Sequence, residues 1–158
     1  MKSTICKIAI SVILSCFILF PLSAKQLFVS PEGDDSADGS SSGNAFKTLS
    51  KAVDAAEEGD EIVLLGIIDI SQEPADKIYN SDAYNKNNQG VKILDKGLTI
   101  SGDPNQTRTK TGFTGNKTTT CLRLDGLNKK VTIRNLTIKE GNPTSDKGAG
   151  CFIRNANV

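Results

Sequence analysis

Short segments in which apolar and polar residues alternate recur along the chain. Leu27 and Val29 lie between polar neighbours, and this alternation predicts a short β-strand near the start. Residues 61–70 read EIVLLGIIDI, a short run that is rich in β-branched residues. Such a run predicts one strand that is buried on both faces.

The segment between these strands predicts one amphipathic helix, from about residue 45 to residue 58. Its apolar residues recur at intervals of three, four and three and therefore share one face: Phe46, Leu49, Val53 and Ala56. Asn44 stands where the N-cap is expected, and Gly59 stands where the helix is expected to have ended. The acidic residues at positions 57, 58, 60 and 61 predict a solvated corner at this end.

The second half of the chain contains similar short strands at a spacing near 30 residues. Leu98 precedes Val131 by 33 positions, and Leu122 precedes Cys151 by 29. A loosely kept period of this length, with variable polar loops, is typical of a solenoid in which each repeat forms one coil. An immunoglobulin-like sandwich would instead show turns at intervals of about 8–12 residues.

The apolar alternation shifts its phase near Asn135. Apolar residues fall on odd positions up to Ile133 and on even positions from Leu136 onward. Two strands separated by a tight bend produce this shift, and asparagine tolerates the left-handed conformation that such a bend needs. One continuous edge strand with a bulge at Asn135 is the alternative.

The first 24 residues have the layout of a secretory signal peptide, with two lysines, an apolar run at 8–22 and a small residue, Ala24, at the expected cleavage position. The apolar run is shorter than the roughly 20 residues of a membrane span. A lipoprotein acylated at Cys16 is the alternative. We therefore expect an exported protein, extracellular or on a bacterial outer membrane or cell surface, whose mature chain has no transmembrane helix.

Composition excludes several function classes. Removal of residues 1–24 takes away two lysines and no acids, so the formal net charge falls from +1 to −1 and no nucleic-acid partner is expected. The chain contains no histidine, the commonest general base and zinc ligand. Two cysteines stay in the mature chain, which excludes a disulfide-dense scaffold.

Strand parity predicts that these two thiols are free. Leu122 and Leu124 form the natural inward pair of their strand, which turns Cys121 outward to the surface. Cys151 and Ile153 take the inward positions of a later strand, so the two thiols would lie on opposite faces. A slip of one residue in the register would stack them.

The stretch PEGDDSADGSSSGN, residues 31–44, carries oxygen-bearing side chains on alternate positions. Asp34, Ser36 and Asp38 follow the spacing of the first ligands in a calcium loop, and calcium is the one cofactor this pattern suggests. The twelfth position from Asp34, where a bidentate acid is required, holds Ala45. A solvated turn is the competing interpretation.

Together these segments resemble the start of right-handed parallel β-helix proteins of the pectin-lyase-like superfamily. Residues 27–65 look like the N-terminal module of that group, in which a strand, an Asp/Gly turn and a helix ending in Gly-Asp precede the first coil. Residues 131–158 resemble one coil of its surface-exposed branch, the polymorphic outer-membrane proteins, with positions 148–151 and 152–155 as the Gly-rich and Phe/Asn elements. The resemblance implies an all-β solenoid of about three coils, the last incomplete, with a capping α-helix.

We therefore expect three parts in the chain: a signal peptide at 1–24, a strand, turn and capping helix at 25–61, and the first coils at 62–158. Since the sequence stops within a strand, we expect the coils to continue in a longer protein.

Enzymes of this superfamily carry their carboxylates and basic residues on central coils, and the coils here offer no acidic pair at strand spacing. Arg123 and Arg134 are expected on solvated faces. We expect no catalytic residue in this chain and a structural or adhesive role, with a polysaccharide or a host surface protein as the partner. The alternative is the N-terminal part of a polysaccharide lyase or glycoside hydrolase whose active site lies beyond residue 158.

Overall fold

The computed structural model describes residues 24–78, 90–93, 96–125, 129–142 and 150–154. The predicted signal segment up to residue 23 and residues 148, 149 and 155 of the two repeat elements lie outside these ranges. The described residues contain one α-helix, α1 (Leu49–Ala55), and two short 3-10 turns at Ser42–Asn44 and Ile70–Gln72. The strands are β1 (Gln26–Val29), β2 (Glu61–Leu64), β3 (Ile67–Asp69), β4 (Val91–Ile93), β5 (Thr99–Gly102), β6 (Gly112–Thr114), β7 (Leu122–Asp125), β8 (Thr132–Arg134), β9 (Thr137–Lys139) and β10 (Cys151–Arg154).

All of these strands lie in three parallel sheets. The first sheet has the order β1-β2-β5-β8, the second β3-β6-β9 and the third β4-β7-β10. From β2 onward the chain visits the first, second and third sheets in turn, and it does so three times. Each strand therefore pairs with its equivalent from the next passage, an order that is compatible with a β-solenoid.

The register agrees with the spacings found in the sequence. Thr99 pairs with Thr132, 33 positions later, and Leu122 pairs with Cys151, 29 positions later. Asn135 separates β8 from β9, which belong to different sheets, and it has a φ of 51°. The predicted tight bend is therefore confirmed, and the continuous strand with a bulge is wrong.

Residues 61–70 form two strands and not the single strand that was predicted. β2 belongs to the first sheet and β3 to the second, with Leu65 and Gly66 between them. Because the chain turns a corner here, apolar side chains before and after the corner both face the interior. Two strands joined at a corner therefore give the same continuous run of apolar residues in the sequence as one strand that is buried on both faces.

The core consists of ladders of apolar side chains that pair in register across each sheet. The inward ladders are Leu27–Ile62–Ile100–Ile133 in the first sheet, Ile68–Phe113–Ile138 in the second, and Val91–Leu122–Cys151 with Ile93–Leu124–Ile153 in the third. Members on β1 to β7 are buried. Those on β8 to β10 are half-buried except Ile153, which is 47% exposed.

The end of the core at β1 is covered by α1 and by Phe46. Leu49 and Ala52 of the helix are fully buried, and Phe46 is 2% exposed. Phe46 lies outside the helix, in a parallel bridge to Val29, and its ring packs under Gly39. Gly39 has a φ of 69°, and a Cβ at this position would collide with the ring.

The helix is shorter than the sequence predicted, and its cap is a different residue. Thr48 is the N-cap and its hydroxyl accepts a hydrogen bond from Lys51 N at 3.3 Å, so the prediction of Asn44 is wrong. Asp35 accepts from the main-chain N–H groups of Lys47 and Thr48, which holds the segment before Leu49 in an extended conformation.

Both cysteines are free, as predicted, but the predicted surface position of Cys121 is wrong. Cys121 is fully buried, and its thiol donates to the carbonyl oxygen of Lys139 at 3.6 Å. It lies at the bend before β7, where strand parity does not apply. Burial raises the pKa of the Cys121 thiol to about 12 and that of Cys151 to about 11.

Two further expectations about charged residues were wrong. Arg123 is 2% exposed, although a solvated face was predicted for it, while Arg134 is exposed as expected. Asp60 is 3% exposed, so the acidic segment after the helix is not uniformly solvated. Sequence pattern alone places an arginine or an acid on the outside because it does not show which hydrogen-bond donors and acceptors surround it.

Candidate functional site

The outward side chains of the first sheet form two rows that cross all four strands. Because parallel strands in register lie about 4.8 Å apart, equivalent residues are side by side. One row consists of Gln26, Glu61, Thr99 and Thr132, and the other of Phe28, Val63, Ser101 and Arg134. These positions alternate with the inward ladders, so the sequence of each strand fixes both the core and this outer face.

A hydrogen-bond network centred on Glu61 joins the four strands. Its Oε1 accepts from the Ser101 hydroxyl at 2.7 Å and from Arg134 Nη2 at 2.6 Å. Its Oε2 accepts from Gln26 Nε2 at 3.1 Å. The Glu61 side chain is 18% exposed, whereas that of Arg134 is 61% exposed, so the guanidinium group is the part of the network most open to solvent.

The network sets the charge state of Glu61. Burial alone raises the pKa of the Glu61 carboxyl, but the hydrogen bonds from Arg134, Ser101 and Gln26 outweigh it, and the pKa lies below its ordinary value. Glu61 is therefore a carboxylate at neutral pH. In this state it accepts hydrogen bonds and does not serve as a proton donor.

Two adjoining depressions lie along this face and share Gln26 and Glu61. The smaller has a volume of about 180 Å³ and is lined by Val63, Ser101 and Arg134 among others. The larger is open, has a volume of about 930 Å³ and extends past Phe28 to the loop at residues 38–42. We call the two together the outer-face groove.

The wall of the larger depression combines one aromatic ring with hydroxyl groups. Phe28 is half-buried, and Ser40, Ser41 and Ser42 are exposed. Asp38 fixes the start of this loop, since its Oδ1 accepts from the Ser40 N–H at 2.9 Å and from the Ser40 hydroxyl at 2.7 Å. The groove therefore offers an apolar surface beside charged and neutral hydrogen-bonding groups.

The three residues of the predicted calcium loop lie in two local turns, Asp34 and Ser36 in the first and Asp38 in the second. Asp34 accepts from the main-chain N–H of Ser36 at 2.8 Å, and this hydrogen bond lowers the pKa of Asp34. Asp38 uses the same type of contact with Ser40, which lowers its pKa as well. Among the described residues no group of three or more acidic or cysteine side chains converges as a metal site requires. Calcium at Asp34, Ser36 and Asp38 stays a prediction.

Sequence reasoning did not single out Gln26, Phe28 or Ser101, and it assigned Glu61 to a solvated corner. The available signal was parity, since each of these residues alternates with an inward apolar neighbour. Parity identifies an outward residue but not the residue opposite it on the next strand. To identify the opposite residue, one must know that Glu61 pairs with Thr99, 38 positions later. This offset departs from the spacing near 30 that the sequence shows.

Comparisons with protein-family models, with curated proteins and with solved structures gave no match to this chain. Within the described ranges, no helix combines the length and the apolar character needed to cross a bilayer.

Proposed function

We propose that this chain is exported, that it forms coils of a right-handed parallel β-helix of the pectin-lyase-like kind, and that its outer-face groove binds carbohydrate at the cell surface. Three passages through three parallel sheets support the coil architecture. Crossovers between parallel strands of one sheet are right-handed in about 98% of cases, which favours that hand. The charge and apolar pattern of residues 1–24 supports export.

The observation that carries the binding proposal is the composition of the groove. A pyranose ring presents an apolar C–H face and a rim of hydroxyl groups that both donate and accept hydrogen bonds. The half-buried ring of Phe28 suits the first, while the Glu61 carboxylate, the Arg134 guanidinium and the Gln26 amide suit the second.

The rigidity of these groups adds to the argument. Glu61 is held from three sides by residues on β1, β5 and β8, so its oxygens are fixed before a ligand arrives. A site that is ordered in advance loses less side-chain entropy on binding. The exposed Arg134 retains N–H groups that reach solvent, because one contact to Glu61 leaves most of its five donors available.

A binding assay on the secreted protein tests this proposal. The full-length gene is expressed in a bacterial host, and the exported protein is titrated calorimetrically with neutral and acidic polysaccharides. We expect Phe28→Ala and Arg134→Ala each to weaken binding about tenfold or more, equivalent to about 1.4 kcal/mol. Lys139→Ala removes an exposed charge from the second sheet and serves as the matched control, with a change of less than about twofold expected.

Three results would contradict the proposal: no export, no binding of any polysaccharide by a folded protein, or equal losses in Lys139→Ala and Arg134→Ala. Release of reducing ends or unsaturated sugars during the titration would instead favour the alternative, a polysaccharide lyase or glycoside hydrolase.

A further inference from the structure

The main chain at Lys25 is anchored to a buried carboxylate. The Lys25 main-chain nitrogen donates to Asp60 Oδ1 at 3.0 Å, and the Asp60 side chain is 5% exposed. The carbonyl oxygen of Lys25 accepts from Glu61 N at 3.0 Å. Both main-chain polar groups of Lys25 are thus fixed at the start of the first sheet.

The other oxygen of Asp60 is also in use. Asp60 Oδ2 accepts from the main-chain N–H of Glu57 at 2.8 Å and lies 3.7 Å from the side-chain nitrogen of Lys25. The carboxylate therefore joins the segment that follows α1 to the first residue of the predicted mature chain. A buried carboxylate in this position would stabilise a positive charge on the main-chain nitrogen of Lys25.

We infer that hydrolysis of the Ala24–Lys25 bond turns this hydrogen bond into an ion pair with the buried Asp60 carboxylate, so that the new N-terminus of the mature protein becomes part of the fold. The inference rests on the proposed export, because a signal peptidase is the class of enzyme that would cleave after Ala24. Ala24 and Lys25 are both exposed, which leaves room for the two additional hydrogens of an α-ammonium group to contact water.

The chemical step is an ordinary peptide hydrolysis. One water molecule is consumed: the Ala24 carbonyl carbon gains its hydroxyl group and becomes a carboxylic acid, which releases a proton to solvent, and the Lys25 nitrogen gains the other hydrogen and becomes a primary amine. The amine then takes up a proton from solvent. The amide N–H that bound Asp60 Oδ1 is replaced by an ammonium N–H, so that the donor as well as the acceptor carries a charge.

The ion pair should make the free energy of unfolding decrease as the pH rises into the alkaline range. An α-amino group ordinarily titrates at about 7.7–8.0, and Asp60 would raise that pKa in the folded state. The added stability is therefore fully present below about pH 7.7 and is lost as the pH rises through the raised value. The charged groups around this nitrogen are Asp60, Glu57, Glu61 and the Lys25 side chain, with Asp38 across the adjoining depression.

Two chains that differ by one residue test the inference. One begins at Lys25 and the other keeps Ala24, each released from a ubiquitin-like fusion by a protease that leaves no extra residue. Urea unfolding is measured at pH 6 and pH 10. We expect the chain that begins at Lys25 to have the larger folded-to-unfolded ratio at pH 6, by about tenfold if the α-amino pKa rises by one unit. The difference should shrink at pH 10.

An NMR titration of the Lys25 chain, labelled at the α-nitrogen, measures the α-amino pKa directly. Asp60→Asn should return that pKa to its ordinary range; because this variant also weakens the bond to Glu57, the titration is the deciding readout. Equal stability of the two chains at pH 6 together with an ordinary α-amino pKa would overturn the ion pair. N-terminal sequencing of the secreted protein separates the two proposals: absence of export defeats the proposed function, and export with cleavage elsewhere defeats this inference.

Discussion

The two ends of the core differ in how their apolar ladders are covered. At the β1 end, Phe46 and the buried face of α1 lie over the ladders, and the members beneath them are almost fully buried. At the end formed by β8, β9 and β10, the same ladders finish in half-buried side chains such as Ile133 and Ile138. The residue types are alike at the two ends, so the stacking neighbours and not the intrinsic propensity of the residues determine burial.

The covered end also concentrates the buried polar contacts of the N-terminal segment. Glu73 accepts from the main-chain N–H groups of Leu49 and Ser50 at 2.6 and 3.1 Å, where α1 begins. The first N–H groups of a helix have no partner inside the helix, and the Glu73 carboxylate satisfies two of them here. Beyond the end of α1, Asp60 accepts from the main-chain N–H groups of Glu57 and Lys25.

The largest expected effect is the difference in free energy of unfolding between two variants, each with one substitution at one end of the core. Phe46→Ala removes a buried ring from beneath Gly39 and should lower the free energy of unfolding by about 3–5 kcal/mol. Ile153→Ala removes a side chain that is 47% exposed and should lower it by less than about 1 kcal/mol. Denaturant unfolding of both variants gives the comparison, and similar losses would show that the β1 end is not the better packed.

A smaller effect is expected within one ladder. Ile100 and Ile133 pair directly, but Ile100 is fully buried and Ile133 half-buried. Ile100→Ala should lower the free energy of unfolding by about 2–5 kcal/mol, and Ile133→Ala by roughly half as much, since less apolar area is lost. Denaturant unfolding of the two variants tests this, and a larger loss at Ile133 would contradict the prediction that Ile100 is the better-packed position.

The smallest expected effect is on the pH dependence of the free energy of unfolding in acid. Glu61 and Glu73 should change this free energy in opposite directions as the pH falls. Burial raises the pKa of Glu73, and hydrogen bonds from Ser50 and Leu49 offset this only in part. Glu73 therefore contributes stability at low pH that is lost as the pH rises through its raised value. The pKa of Glu61 is lowered in the fold, so its contribution is present at neutral pH and is lost as the pH falls through the lowered value.

Urea unfolding between pH 3 and pH 7 distinguishes the two. The free energy of unfolding of Glu61→Gln, measured relative to that of the unmodified chain, should increase as the pH falls. The corresponding relative value for Glu73→Gln should increase as the pH rises. Parallel pH profiles of the two variants would contradict these assignments.

Features that depend on local parity and spacing could be predicted from the sequence. The bend at Asn135 follows from one phase change, and the pairing offsets of 33 and 29 follow from the similarity of the repeated segments. The burial of Phe46, Leu49 and Val53 also follows from their apolar character. In each case the information lies within one short segment or in the similarity of two such segments.

Features that depend on partners distant in the sequence could not be predicted. Thr48 becomes the helix cap because Asp35 holds it and Glu73 meets the next two N–H groups. Cys121 is buried because it lies at a corner. The network of the outer-face groove depends on Glu61 meeting Arg134, which is 73 positions away.

The unequal spacing between paired strands has a consequence for how such a chain can change in evolution. Ile67 pairs with Gly112, 45 positions later, but Gly112 pairs with Thr137 only 25 positions later, and both pairs remain in parallel register. Doubling the length of a loop costs only about 0.6 kcal/mol in closure entropy. Insertions at the corners are therefore close to neutral, while insertions within a strand would turn its side chains to the wrong face. Descendants of this chain can acquire new surface segments at the corners and still inherit the same ladders.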